Sequence, residues 1–289
     1  MVLHIVEVSS VRMAAVMLLL ICALFFSRLP QAQENGFTIT WAINDAPPFH
    51  IIEGEYENSG MCDVLIDALS AQMPEVAHET ILMPQNRIRM LSKQKQNLCF
   101  PCLIKREDSE VWLYTDETVV HAPLGIIGLP DVLAPYLRAD GRISLSDLAN
   151  ALTLRMGKPL ARRYPDVLQQ YVDKVSNTSH FAELTGENAT VRVLEQIALG
   201  RIDYTLEYPS ILKFHNLTQG EKALVYYETT ELSSKGISGA IGCTNNAWGE
   251  EAVSRINKAL PVILSSPIYQ KQEQFWHANV VVPDKSATR

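Results

Sequence analysis
Cys99-Phe-Pro-Cys102 is the pair whose spacing most directly implies a chemistry, either thiol–disulfide exchange or half of a zinc site. A redox pair needs a helix N-terminus to lower one thiol pKa, and Leu98–Ile104 reads as a strand, which supplies no such field. Zinc would need a second pair of ligands, whereas Cys62 and Cys243 each stand alone. No metal and no cofactor are therefore expected. The carboxylates Asp45 and Glu207 fall at a loop and a strand end, where a general acid or base would serve. No Gly-x-Ser-x-Gly, His-Glu-x-x-His or phosphate-binding Gly-x-x-x-x-Gly-Lys-Ser/Thr motif accompanies them.

The elements that must position these residues alternate along the chain. Phe37–Ile43 reads as a strand that stops at Asn44-Asp-Ala-Pro-Pro48, and Met61–Met73 recurs at helical spacing. Strands are expected at His78–Met83 and Leu98–Ile104, with a helix over Gln85–Gln94 between them. A second set starts near Ala122. It has strands at Pro123–Leu129, Leu152–Met156 and Ile202–Glu207, and helices at Leu145–Asn150, Leu160–Tyr171 and Val191–Leu199. In this pattern Gly157-Lys158-Pro159 and Asn188-Ala-Thr190 each open a helix, so their N–H groups are candidates for holding an anion. A helix begins at Tyr208-Pro-Ser, a strand returns at Gly239–Cys243, and helices over Glu250–Leu264 and Ser266–Ala278 end the chain. Strands and helices in alternation imply an α/β fold with mainly parallel sheets.

The chain has 289 residues, with 25 Lys and Arg against 32 Asp and Glu. That acidic balance argues against a nucleic-acid partner, which needs a basic face. Ala14–Phe26 is an unbroken apolar run of 13 residues behind Arg12, too short to span a membrane and suited to a signal-peptide core. Cleavage after Ala32 is expected, with delivery to a periplasm. Cys62, Cys99, Cys102 and Cys243 then remain, an even number that favours disulfides in an oxidising compartment.

In their order and spacing, several stretches resemble the bacterial extracellular solute-binding proteins of family 3, the amino-acid-type periplasmic binding proteins. Ile39–Ile43 followed by Ala46-Pro-Pro-Phe49 is similar to the family's first strand and Pro-Pro-Phe loop. Gly60-Met-Cys-Asp63 looks like its helix entry, and Gln85-Asn-Arg87-Ile-Arg89 its second helix. Glu110–Asp116 and Gln196–Asp203 fit later steps, so the resemblance runs over residues 37–278. It implies a type II periplasmic-binding-protein-like fold of two lobes, each a mainly parallel sheet flanked by helices, with a hinge of two crossing strands. The lobes would comprise residues 33–121 with 231–289, and residues 122–230, after a signal peptide over 1–32. The crossings would lie near Val119–Pro123 and Thr229–Gly239.

The resemblance also implies a site between the lobes. Asp45 and Phe49 would reach the solute from the first loop, and Arg87 from the second helix. Lys158 and Thr190 would hold an anion at helix starts, with Glu207 or Tyr208 against an ammonium group. The family's carboxylate-binding Arg after the third strand is replaced by Asp108, with Arg106 two residues earlier, which leaves the solute open. In the resembled fold the return strand would lie beside Leu98–Ile104, which implies a cross-link from Cys243 to Cys102 or Cys99. One disulfide is expected, Cys102–Cys243. The function implied is capture of a small polar solute by a monomer that presents it to an ABC-type permease or a membrane receptor. The runner-up is an enzyme on the same fold, a dehydratase or a cell-wall lytic type, using Asp45 or Glu207.

Overall fold
The computed structural model describes residues 36–106, 109–151, 153–160, 162–186, 188–219, 223–232 and 236–277. The expected leader, Cys22 and Asp108 lie outside these. Two five-stranded sheets account for all ten strands. The first is ordered β2-β1-β3-β10-β4, from β1 (Thr38–Ile43), β2 (Ala77–Leu82), β3 (Cys99–Ile104), β4 (Trp112–His121) and β10 (Ile237–Thr244). The second is ordered β7-β6-β8-β5-β9, from β5 (Gly125–Gly128), β6 (Met156–Pro159), β7 (Phe181–Leu184), β8 (Tyr204–Glu207) and β9 (Val225–Glu228).

Both sheets follow one plan. β1 pairs in parallel with β2 and β3, while β10 runs antiparallel to both β3 and β4. Likewise β6 pairs in parallel with β7 and β8, while β5 runs antiparallel to β8 and β9. Each sheet therefore has four strands in one direction and a reversed strand in the fourth place. That reversed strand is the first one the chain lays down after crossing from the other sheet, at 122–124 and again at 229–236. The mainly parallel sheets expected from the strand–helix alternation are thus mixed by pairing and four-to-one by direction.

Helices α1 (Met61–Gln72), α2 (Gln85–Lys93), α8 (Ala247–Leu264) and α9 (Pro267–His277) pack on the first sheet or on one another. α1 buries Met61, Leu65 and Leu69 on its inward face, and Ile39 and Trp41 of β1 are buried as well. Each such side chain contributes about 1.5–3 kcal/mol when taken from water. The second sheet carries α3 (Pro130–Leu133), α4 (Leu145–Asn150), α5 (Asp166–Ser176), α6 (Ala189–Ala198) and α7 (Pro209–Thr218), around a core that includes Ile126, Ile127, Leu194, Tyr204 and Leu206. α9 reaches α7 as well, and Trp276 is buried among Ile51, Met61 and Phe214.

Three expectations need correction. Lys158 lies on a strand, not at a helix start, because Pro165 would interrupt a helix over 160–171. The helix begins instead at Asp166, with Pro165 in the cap position. The strand expected at Leu152–Met156 lies later, at Met156–Pro159. The disulfide is not Cys102–Cys243. β3 carries one extra residue between its pairings with Gly242 and Ala240, and Cys102 sits in that bulge with φ 60°, so it leaves the regular alternation. Cys99 stands directly across from Cys243 and bridges it, and Cys102 bridges Cys62 on α1.

The bridges differ in span, with sequence separations of 40 for Cys62–Cys102 and 144 for Cys99–Cys243. In the chain-entropy model these correspond to about 4 and about 5 kcal/mol. Changing Cys99 and Cys243 together to Ala should therefore lower the unfolding free energy in urea more than changing Cys62 and Cys102.

Candidate functional site
One large cleft, about 1150 Å³, opens between the sheets. Its lining comes from the residues that follow three of the four co-directional strands in each sheet, and from helix starts. Asp45 follows β1, Pro84 follows β2, Arg106 follows β3, Arg162 follows β6, Thr185 follows β7 and Tyr208 follows β8. Carboxyl ends of strands are where open α/β sheets place ligands, since the helix N-termini there direct N–H groups at the same space.

On the first wall, Phe49 is carried by the loop after β1, and Asp63 on α1 holds that loop. Its carboxylate contacts His50 Nδ1 at 2.6 Å and accepts the N–H groups of Ile51 at 2.9 Å and Gly60 at 3.1 Å. Gly60 has no alternative, because a Cβ there would lie 2.4 Å from the Phe49 carbonyl oxygen. The Phe49 ring meets His121 at 5.6 Å and Tyr208 at 6.2 Å between centroids, edge-on in both cases. His121 ends β4, so these three rings close the back of the cleft beside the first crossing.

The second wall centres on an ion pair. Arg162 Nε and Nη2 donate to the two carboxylate oxygens of Glu207 at 2.7 and 2.6 Å. Glu207 is fully buried, while Arg162 keeps about a fifth of its side chain exposed. Burial pushes the Glu207 carboxyl up against the pull of Arg162. For Arg162, burial works to lower the pKa, and the Glu207 charge, together with Tyr208, Tyr164 and the hydrogen bond to Glu207, more than offsets it and keeps the guanidinium protonated. The guanidinium also sits 5.6 Å from the Tyr208 ring centroid.

Of the residues singled out from the sequence, Asp45, Phe49, Arg106, Thr190 and Tyr208 all line the cleft. Arg87 does not; it is exposed, and Arg89 from the same helix lines the cleft instead. Glu207 stands behind the wall with both oxygens bonded to Arg162, so it cannot meet an ammonium group directly. Lys158 is buried, with its ammonium 2.5 Å from Glu183. Arg162 and Arg163 were missed because their segment read as a helix. Pro159 and Pro165 on either side were the available signal of a loop. Asn188 caps α6 in a left-handed conformation, φ 54°, with its buried Oδ1 unpartnered among the described residues. Among the described residues no cluster of His, Cys, Asp or Glu could hold a metal, and no helix is long and apolar enough to cross a membrane.

No family model and no curated protein matches the sequence. Solved structures do match in three dimensions. A probable amino-acid ABC transporter extracellular-binding protein, ytmK from Bacillus subtilis, superposes with a TM-score of 0.61 at 18% identity, over 84% of this chain and 99% of that one. Its fold is that of the two-lobed extracellular binding proteins. GshT of Streptococcus mutans, described in glutathione import, gives 0.65 at 14% identity over 86% of this chain and 98% of its own. An ancestral amino-acid-binding protein described as a precursor of cyclohexadienyl dehydratase gives 0.60 at 18% identity, over 83% and 95%. Each sheet with its helices is accordingly one lobe.

The ring cluster has a consequence for pH. Burial, reinforced by His277, pushes His121 down to about 4. An unfolded histidine titrates near 6.5, so the unfolded chain binds more protons between those values. Stability from this group is complete above about pH 6.5 and is lost as pH falls towards 4, by on the order of 3 kcal/mol in all. Urea titrations at about pH 7 and pH 5 should show that loss, and His121→Gln should reduce it.

Proposed function
We propose that this chain is an extracytoplasmic solute-binding protein that captures a small polar solute between its lobes. The observation that carries the reading is the large cleft lined by strand ends of both sheets. A solute that touches both walls binds best when they approach, so it shifts the population towards closure. The closed form is then what an ABC-type permease or a membrane receptor recognises. Residues 1–32 are the leader in this reading and deliver a monomer to the periplasm. Asp45, Phe49, Arg106, Thr190 and Tyr208 make the solute contacts, and no turnover occurs. Glu207 is unsuited to acid–base work because Arg162 occupies its oxygens. Of the two carboxylates read from the sequence for the enzyme alternative, Asp45 is the one that lines the cleft.

The test is a thermal-shift screen of the mature chain against amino acids, organic acids, polyamines, short peptides and sugars. A solute at a hundred times its Kd should add about 2.7 kcal/mol, several degrees in Tm. Mass spectrometry should recover that solute unchanged. A consumed solute would instead establish the enzyme, and silence across the panel would count against small-solute binding.

A further inference from the structure
We infer that the solute is a dianion, with one anionic group for each lobe and no ammonium group against the second lobe. This rests on the solute-binding reading and names the class of solute. Among the described lining residues five are cationic, Arg89, Lys93, Arg106, Arg162 and Arg163, against two carboxylates, Asp45 and Asp166. The protein as a whole is acidic, so this excess is local to the cleft. It is also divided between the walls. Arg89 and Lys93 come from α2 and Arg106 follows β3, while Arg162 and Arg163 follow β6.

Arg162 is the best-prepared of the five. Two of its nitrogens are fixed on Glu207 and its plane lies near Tyr208, which leaves the remaining N–H donors of the fork for the cleft. A guanidinium so immobilised loses little freedom when a carboxylate or phosphate docks, so its charge-assisted bonds favour an anion strongly. Arg89, Lys93, Arg106 and Arg163 form no ion pair with a described carboxylate. Closing the cleft brings these two cationic walls together, which like charges resist. A solute anionic at both ends removes that resistance, and one carrying an ammonium adds to it. Between the walls the Phe49, His121 and Tyr208 rings offer an uncharged surface for the middle of the solute.

Calorimetric titration of the mature chain with glutarate, pyrophosphate, butyrate and lysine tests this. At least one of the two dianions should bind at least tenfold more tightly than butyrate or lysine, and glutarate against pyrophosphate separates carboxylate from phosphate recognition. Its affinity should fall as salt is added, and about tenfold in Arg106→Gln and in Arg163→Gln, both exposed residues whose loss leaves the core intact. Arg162→Lys keeps a cation beside Glu207 but loses the fork, so it should weaken the same ligand while lowering Tm less than Arg162→Gln does. Tighter binding of lysine than of either dianion overturns the inference while leaving solute binding intact. So does failure of both dianions to bind at their highest soluble concentrations; the solute-binding reading then stands or falls on the wider screen.

Discussion

A carboxylate closed off from water at the end of a strand is tolerable only with a cation bonded to it, and this constraint organises the second lobe. Glu207 is that carboxylate and Arg162 its partner. The pairing obliges the segment after β6 to fold back over the end of β8. Tyr164 follows it inward, where its hydroxyl donates to the Leu206 carbonyl at 3.3 Å. Tyr208 is set beside the guanidinium by the next step of the same strand end. The wall is therefore held by bonds of its own, the preorganisation that the proposed binding role calls for.

The first lobe uses a carboxylate in a comparable way. Asp63 gathers His50 and two backbone N–H groups, and through them fixes the loop that carries Phe49. Neither Asp63 nor Glu207 lines the cleft itself. Both act from behind it, shaping the loops whose neighbours make the contacts. Charge that reaches the cleft is thus mostly positive in a protein that is negative overall.

What could be read from the sequence follows from how local each signal is. The helix over Met61–Gln72 and the strands around it were legible because apolar periodicity and Pro-rich breaks are contained within short windows. β7 and β9 did not stand out, although β5 and β8, of the same four-residue length, did. The site divided along the same line. Phe49 and Tyr208 were legible from the strands that end just before them. Arg162 was not, because what makes it a site residue is a partner 45 positions away. A sequence shows that Glu207 ends a strand; it does not show that a guanidinium has already taken both its oxygens. The cysteine pairing failed similarly, since β3 could be placed beside β10 while the face of each thiol depends on register.

The Cys99–Cys243 bridge encloses the whole second lobe, whose strands all lie between Gly125 and Glu228. The two covalent paths between the lobes, at 122–124 and 229–236, are therefore both inside one closed ring. A protease that cuts either crossing opens the ring without separating its parts. The two fragments stay joined through the bridge alone, while the uncut crossing keeps the second lobe attached to one of them. Only a second cut at the other crossing, or a cut followed by reduction, lets the chain come apart. A single nick at the hinge would therefore add only the mass of one water molecule, and two fragments would appear only once the bridge is reduced.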